Sequence, residues 1–368
     1  ASHAELAVLD RPNMVRRQVV GALVGQTLRP RLIALAARIL PRLPSWAGRA
    51  LGALAYGINA RLKRLGSRRL LTELDADLLY CPFTAPTYHE PGIPTVCTLY
   101  DLQYLAFPEF FTAEDRANRA GTFAAVQRDA DLIIAISEHA RVTAISQGAL
   151  DPGRIRTVPL RLAQRLNREP TSEPDRRIVE RLGLVPGRYL LYPANFWPHK
   201  NHARLLTAFE SARARGLPDD LVLVCTGAPG TGRDGIQERA ERLGLTDRVR
   251  LPGYLDDADL AELLDRAAGL VFPSLYEGFG LPVVEAMAAG VPVACSAVTA
   301  LPEVVGEAAV LFDPLDPESI AAALLELTLN DSTRARLIQA GRRRAAHFAD
   351  SRAMALEYWD AFCEATAP

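Results

Sequence analysis

Lysine is almost missing from this chain: of 42 basic residues, only Lys63 and Lys200 are lysine. Where nearly every cation is Arg, a retained compact ammonium is a candidate phosphate contact. Lys200 stands in ANFWPHKNH, a polar stretch between a strand-like run and a helix. Paired cysteines are missing as well. Cys81, Cys97, Cys225, Cys295 and Cys363 lie far apart, mostly in apolar runs and never as CxxC. This spacing argues against a disulfide framework or a thiolate metal site and predicts buried, reduced thiols in a cytoplasmic protein. No uninterrupted apolar run reaches about 18 residues, so no spanning helix is predicted. No secretory leader is read either.

Acid is missing from one long segment. From Arg11 to Thr72 there are thirteen Arg or Lys and no Asp or Glu, so with an overall charge of −1 the rest of the chain carries −14 by subtraction. Pro41 and Pro44 divide the leucine- and arginine-rich part into at least two helices. Basic amphipathic helices suit an anionic surface, here a peripheral site on the inner face of the plasma membrane. Equally, the leucines can pack on a core with the arginines solvated. The segment lacks interleaved aromatics or an RNA-binding motif, so no nucleic-acid partner is assigned. A length of 368 residues, 49% hydrophobic and 23% charged, is that of a globular protein with room for two cores.

What is present is organised around residues 271–290, VFPSLYEGFGLPVVEAMAAG. It reads as a strand end at Leu270 to Pro273, a loop, and a helix with Pro282 in its first turn and Gly290 at its stop. Gly278 and Gly280 are expected to let the backbone turn and approach a ligand closely. The helix N-terminus behind them is an anion site. Glu277 in the loop and Glu285, expected in the first helical turn, are eight positions apart and suited to accept from sugar hydroxyls. The plain alternative is an ordinary strand–loop–helix with both acids solvated.

The run EGFGLPVVEAMAAGVPV resembles the E-x7-E signature of retaining glycosyltransferases of family 4. The resemblance implies the GT-B fold: α/β, with two doubly wound Rossmann-like domains facing each other across a cleft. It implies a nucleotide-sugar donor in the second domain. Glu277 would face the transferred sugar, the backbone at Gly278, Phe279, Gly280 and Leu281 the sugar and phosphates, and Glu285 the ribose. Lys200 matches a phosphate-binding Lys, while Asn195 stands where an Arg is usual. Gly253 and Tyr254 fall in the region that contacts the base. VCTLYDLQYLAFPEFF is also similar to the family, with Tyr100-Asp101 where His-Asp is usual near the reacting sugar. Tyr100 can donate a hydrogen bond there but cannot carry a proton near neutral pH. The family also opens with a strand and a glycine-rich loop. AELAVL (4–9) reads as a strand, but nothing like that loop precedes Ala4, so this element is expected to be missing.

Further strands are read at 77–83, 93–101, 131–138, 154–160, 189–193, 220–227, 249–255, 291–296 and 309–313. The expected domains are 1–165 for the acceptor side, 166–345 for the donor, and 346–368 as a helix crossing back onto the first domain. GxxGxG in GAPGTGRDG lacks a P-loop lysine and dinucleotide spacing and is read as a plain loop. His199 and His202, without ligands at metal spacing, are read as helix-capping or solvated. GT-B enzymes generally manage without a metal, so the resemblance implies neither metal nor cofactor.

The reading is hexose transfer from a nucleotide-sugar to a saccharide or polyprenyl-linked acceptor in glycan assembly. The stretch YPANFWPHKNH resembles bacterial mannosyltransferases of polysaccharide assembly and so implies GDP-mannose; a UDP-sugar is the alternative donor. A non-catalytic nucleotide-sugar or carbohydrate-binding protein is the second reading. A nicotinamide dehydrogenase is disfavoured, because no GxGxxG joins a strand to a helix.

Overall fold

The computed structural model describes residues 69–86, 88–162, 178–228 and 232–367. Nearly all of the acid-free segment 11–72, the strand read at 4–9, the 165/166 boundary and the centre of the glycine-rich turn lie outside them.

Among these residues ten parallel strands form two sheets. The first, in the order β1-β2-β3-β4, comprises Leu79–Cys81, Thr95–Leu99, Leu132–Ala135 and Ile155–Thr157. The second runs β10-β9-β8-β5-β6-β7. Its strands are β5 (Tyr189–Pro193), β6 (Val222–Thr226), β7 (Val249–Gly253), β8 (Gly269–Phe272), β9 (Val293–Ser296) and β10 (Ala309–Phe312). Most ladders are shorter than the apolar runs that predicted them. Residues past the carboxyl ends, such as Phe83, Tyr100 and Tyr254, leave the sheet for loops.

The inner strands β2, β3, β6, β8 and β9 are buried end to end because both faces of each sheet are covered, while the edge strands β4 and β7 carry Arg156 and Arg250. In β3, Ile133 and Ala135 pack with Phe123, Val126 and Ala140 on one face. Leu132 and Ile134 meet Met354, Tyr358 and Ala361 on the other. The latter three belong to the C-terminal helix Ser351–Thr366, which starts on an Asp350 side chain accepting from the Ala353 amide. That helix therefore lies on the first sheet after the chain has built the second. Tyr80 anchors it, with its ring 5.7 Å from Tyr358 and 5.1 Å from Phe362. Four cysteines are buried in strands, as expected. Cys363 is not: it lies on the outer side of this helix and is exposed.

Strand order positions the site. The second sheet starts at β5 and winds outward in both directions, through β6 and β7 on one side and β8 to β10 on the other. The loops leaving β5 and β8 at their carboxyl ends therefore diverge around a crevice, where α/β sheets bind ligands. The first sheet runs in sequential order through all its described strands.

Candidate active site

The crevice is built from the loop after β5, Ala194 to Asn201, and the loop after β8, Pro273 to Gly280. Several bonds tie the two together. Leu275 N donates to His199 O at 2.7 Å. Tyr192, on β5, donates its hydroxyl to Lys200 O at 2.6 Å and lies 3.3 Å from Ser274 Oγ. Asn201 takes the left-handed conformation at φ 62°, which Asn tolerates better than most residues. Its amide then donates to Pro273 O at 3.0 Å and Pro314 O at 2.8 Å, both buried. Removing that side chain would orphan two carbonyls, at about 1–3 kcal/mol each.

These ties bring Lys200 and Glu277 together. Lys200 Nζ donates to Glu277 Oε1 at 2.5 Å, with the two side chains 15% and 13% exposed. Nζ also lies 5.6 Å from the centre of the Phe272 ring, a cation–π distance. Glu277 N donates to Thr299 Oγ1 at 3.1 Å, fixing the backbone beneath the carboxylate. An ammonium has three N–H donors, so Lys200 can hold Glu277 and still offer hydrogens to an anion.

Behind the pair stands the helix Leu281–Ala289, with Pro282 at its start and Gly290 ending it in the left-handed conformation at φ 74°. Gly280 caps its N-terminus at φ 108°, a value that favours glycine. Glu285 is not in the first turn, which holds no acid. It is the fifth helical residue and is 8% exposed. Gly278 also departs from expectation. A Cβ there would lie 2.4 Å from Tyr100 O, so close approach of the first domain by itself requires glycine at this position. Phe279 is buried, its ring 5.5 Å from Phe348.

The other expected site residues are more dispersed. Tyr100 is 37% exposed, and its hydroxyl donates to Pro82 O at 3.0 Å. Its hydrogen is used inside the first domain. Asp101 Oδ1 accepts from Gln103 N at 3.0 Å. Asn195 Oδ1 accepts from Ala228 N at 2.7 Å, so only its NH2 group is turned to other partners. Gly253, at φ 84°, ends β7, and Tyr254 beyond it is 75% exposed. β7 lies two strands from β5, roughly 10 Å across the sheet.

His199 and His202 are neither solvated nor capping side chains. Both are buried, and the His202 ring stacks 4.6 Å from Tyr192 and 4.7 Å from Phe196. Burial, reinforced by Lys200 and Arg119, pushes His199 down to about 4. Burial and Lys200 push His202 down to about 3. Both imidazoles are therefore neutral at pH 7 and act as rings beneath the crevice. Among the described residues no cluster of three or more His, Cys, Asp or Glu could hold a metal.

Sequence reasoning missed Thr299, Tyr276 and Glu303. Nothing in the sequence around Thr299 or Glu303 marks them, because their partners arrive from distant segments. Tyr276 adjoins Glu277, and its position was the available signal. The two domains meet at Tyr276 and Glu303. Glu303 Oε1 accepts from Glu138 N at 2.9 Å and Oε2 from His139 N at 3.1 Å. Those amides begin the helix Glu138–Ser146 of the first domain. Burial raises the Glu303 carboxyl, opposed by these two bonds.

The family profile described as "Glycosyl transferases group 1" matches residues 177–344, which contain the crevice loops and the helix behind them. Among curated proteins, the chain is 32% identical over 273 residues to O-antigen chain mannosyltransferase B of Escherichia coli, covering 71% of this chain and 70% of that one. It is 35% identical over 225 residues to the MMP alpha-(1->4)-mannosyltransferase of Mycolicibacterium hassiacum, covering 60% of this chain and about half, 51%, of that one. Among solved structures, Anabaena Alr3699/HepE in complex with UDP and glucose superposes with a TM-score of 0.62 at 20% identity, covering 74% of this chain and 72% of that one.

Proposed function

The chain belongs to the group 1 glycosyl transferases, with their two-domain GT-B fold, and from that premise we propose that it transfers a mannosyl group from GDP-mannose with retention of configuration. The acceptor in this reading is a saccharide or polyprenyl-linked glycan under assembly. The observation that carries the reading is the Lys200–Glu277 pair at the switch point of the second sheet, in front of the Leu281–Ala289 N-terminus. The two curated relatives, both named as mannosyltransferases, support the choice of sugar.

In this reading the donor's diphosphate lies between Lys200 and the first amides of that helix. As the bond to the anomeric carbon breaks, negative charge grows on the leaving diphosphate, where Lys200 and the helix end already point. Positive charge grows on the sugar, where the Glu277 carboxylate faces it. The existing ion pair holds that carboxylate in place before the donor arrives. The nucleoside extends over β6 and β7, with ribose hydroxyls on Glu285 and the base near Gly253 and Tyr254. No metal or cofactor is assigned, because the leaving charge already has these partners. The basic segment 11–72, nearly all of it outside the described residues, is assigned to an anionic membrane surface bearing the acceptor. The protein then sits on the cytoplasmic face of the plasma membrane.

A UDP-sugar is the second reading for the donor, favoured by the UDP and glucose of the Anabaena structure. A thermal-shift panel of GDP, UDP and ADP, each with and without its sugar, decides. The expected result is the largest rise with GDP and GDP-mannose. A larger rise with UDP overturns the guanine assignment, and no rise with any of them overturns the donor site.

A further inference from the structure

We propose that Tyr276 is a positioning residue that couples closure of the two domains to placement of the Glu277 carboxylate. The inference rests on the glycosyl-transfer reading above.

Four consecutive residues are held alternately by the two domains. Leu275 N donates to His199 O in the donor loop at 2.7 Å. Tyr276 points the other way and is 4% exposed. Its ring centre lies 6.2 Å from Phe107 and 5.5 Å from His139, edge to face with both, and its hydroxyl is buried without a hydrogen-bond partner among the described residues. Both ring neighbours belong to the first domain. Glu277 returns to the second, on Lys200 and Thr299. Gly278 then presses its Cα against the Tyr100 carbonyl of the first.

The contact is reinforced on the far side of the same helix turn. His139 packs its ring on Tyr276 while its backbone amide donates to Glu303. Two elements of the second domain therefore grip one helix start of the first. When the domains part, both grips are lost together. Tyr276 then exposes a large aromatic surface, and the peptide leading into Glu277 keeps only its donor-side ties. A buried aromatic ring rewards closure through its apolar area and edge-to-face contacts. Because the next residue carries the carboxylate, that reward is delivered where the chemistry needs a fixed group. Burial of the Glu303 carboxylate on two helix-end amides sets the orientation of the joint.

The test uses the full chain with Tyr276→Ala, Tyr276→Phe and Glu303→Gln. The first readout is hydrogen exchange at the amides of Glu138 and His139 and across 274–280 in the ligand-free protein. Tyr276→Ala and Glu303→Gln should accelerate it, and Tyr276→Phe, which keeps the ring contacts, should not. The second is donor hydrolysis set against GDP affinity. Tyr276→Ala should lower kcat with GDP-mannose by at least about tenfold while GDP affinity stays within about twofold, and Tyr276→Phe should recover most of the loss. Unchanged exchange in Tyr276→Ala overturns the proposal whether or not the enzyme uses GDP-mannose. So does a parallel loss of GDP affinity and kcat, which marks Tyr276 as mere packing of the donor domain. If wild-type protein neither binds GDP nor turns over its sugar while exchange responds as expected, the donor assignment fails and the coupled joint stands.

Discussion

Lys200 and Glu277 meet at 2.5 Å although 77 residues separate them in the chain. They meet because β5 and β8 are neighbours in the sheet and the loops that leave them are bonded to each other, so a cation from one loop and a carboxylate from the other share one crevice. Each is mostly buried. In a partly desolvated site, removing either member leaves the other without its counter-charge.

Lys200→Ala should therefore weaken GDP binding by about 1.5–3 kcal/mol, the worth of a charge-assisted hydrogen bond. Lys200→Arg should recover only part of it, since the planar guanidinium does not occupy the same point. Calorimetric titration with GDP checks both. In urea unfolding, the double variant with Glu277→Gln should lose less stability than the sum of the two single changes, because they share one ion pair.

The two glutamates should separate kinetically. Glu277→Gln should lower kcat by roughly 10²-fold while free GDP affinity is spared, because in the proposed transfer its carboxylate acts on charge that exists only in the transition state. Glu285→Gln should instead raise the donor KM and weaken GDP binding with little change in kcat, as expected for contacts made equally in ground and transition states. Steady-state kinetics beside GDP titration distinguishes the pair; the opposite pattern reverses the roles assigned to them.

Gly278→Ala tests closure without touching a charge. The new methyl would sit 2.4 Å from Tyr100 O and 3.4 Å from Asp101 Cβ, the first of them backbone that cannot rotate away. The domains must part by a few tenths of an ångström or more, and overpacking of this kind costs about 1–3 kcal/mol. Turnover should fall while GDP affinity, assigned above to the second domain, persists. Turnover equal to wild type would show that the contact is not needed in the reacting state.

Acid should destabilise the protein through its neutral histidines. The folded-state values, about 4 for His199 and about 3 for His202, lie below an unfolded value near 6.5. The unfolded chain therefore binds more protons as pH falls. The stability these two rings contribute is fully present above about pH 6.5 and declines below it, by up to about 1.4 kcal/mol per pH unit for each histidine, until the folded values are reached. Glu303, raised by burial, acts in the opposite sense: its folded form gains protons first, so this carboxyl favours the native state as pH falls. Urea unfolding at pH 7 and pH 5, for wild type and His202→Gln, measures the effect of the more deeply buried imidazole. The variant should lose less stability between the two pH values than wild type does.

Much of the fold is legible in the sequence because apolar runs bounded by turn residues report parallel strands directly, and local chemistry reports helix starts and stops. Gly280, Pro282 and Gly290 delimit their helix by backbone geometry alone, and Lys200 stands out because every other Lys or Arg in the second half is Arg. Tertiary structure decided what depends on two segments meeting. Gly278 needs its missing Cβ because the Tyr100 carbonyl comes from the other domain. His199 and His202 lose their charge because rings from β5 and its loop bury them, which no local spacing encodes. Glu303 and Tyr276 carry the joint between the domains only once the helix at Glu138 is placed against them. A sequence states which groups a chain can offer; whether a lysine meets a glutamate, or a glycine meets a carbonyl, is set by strand order and domain packing.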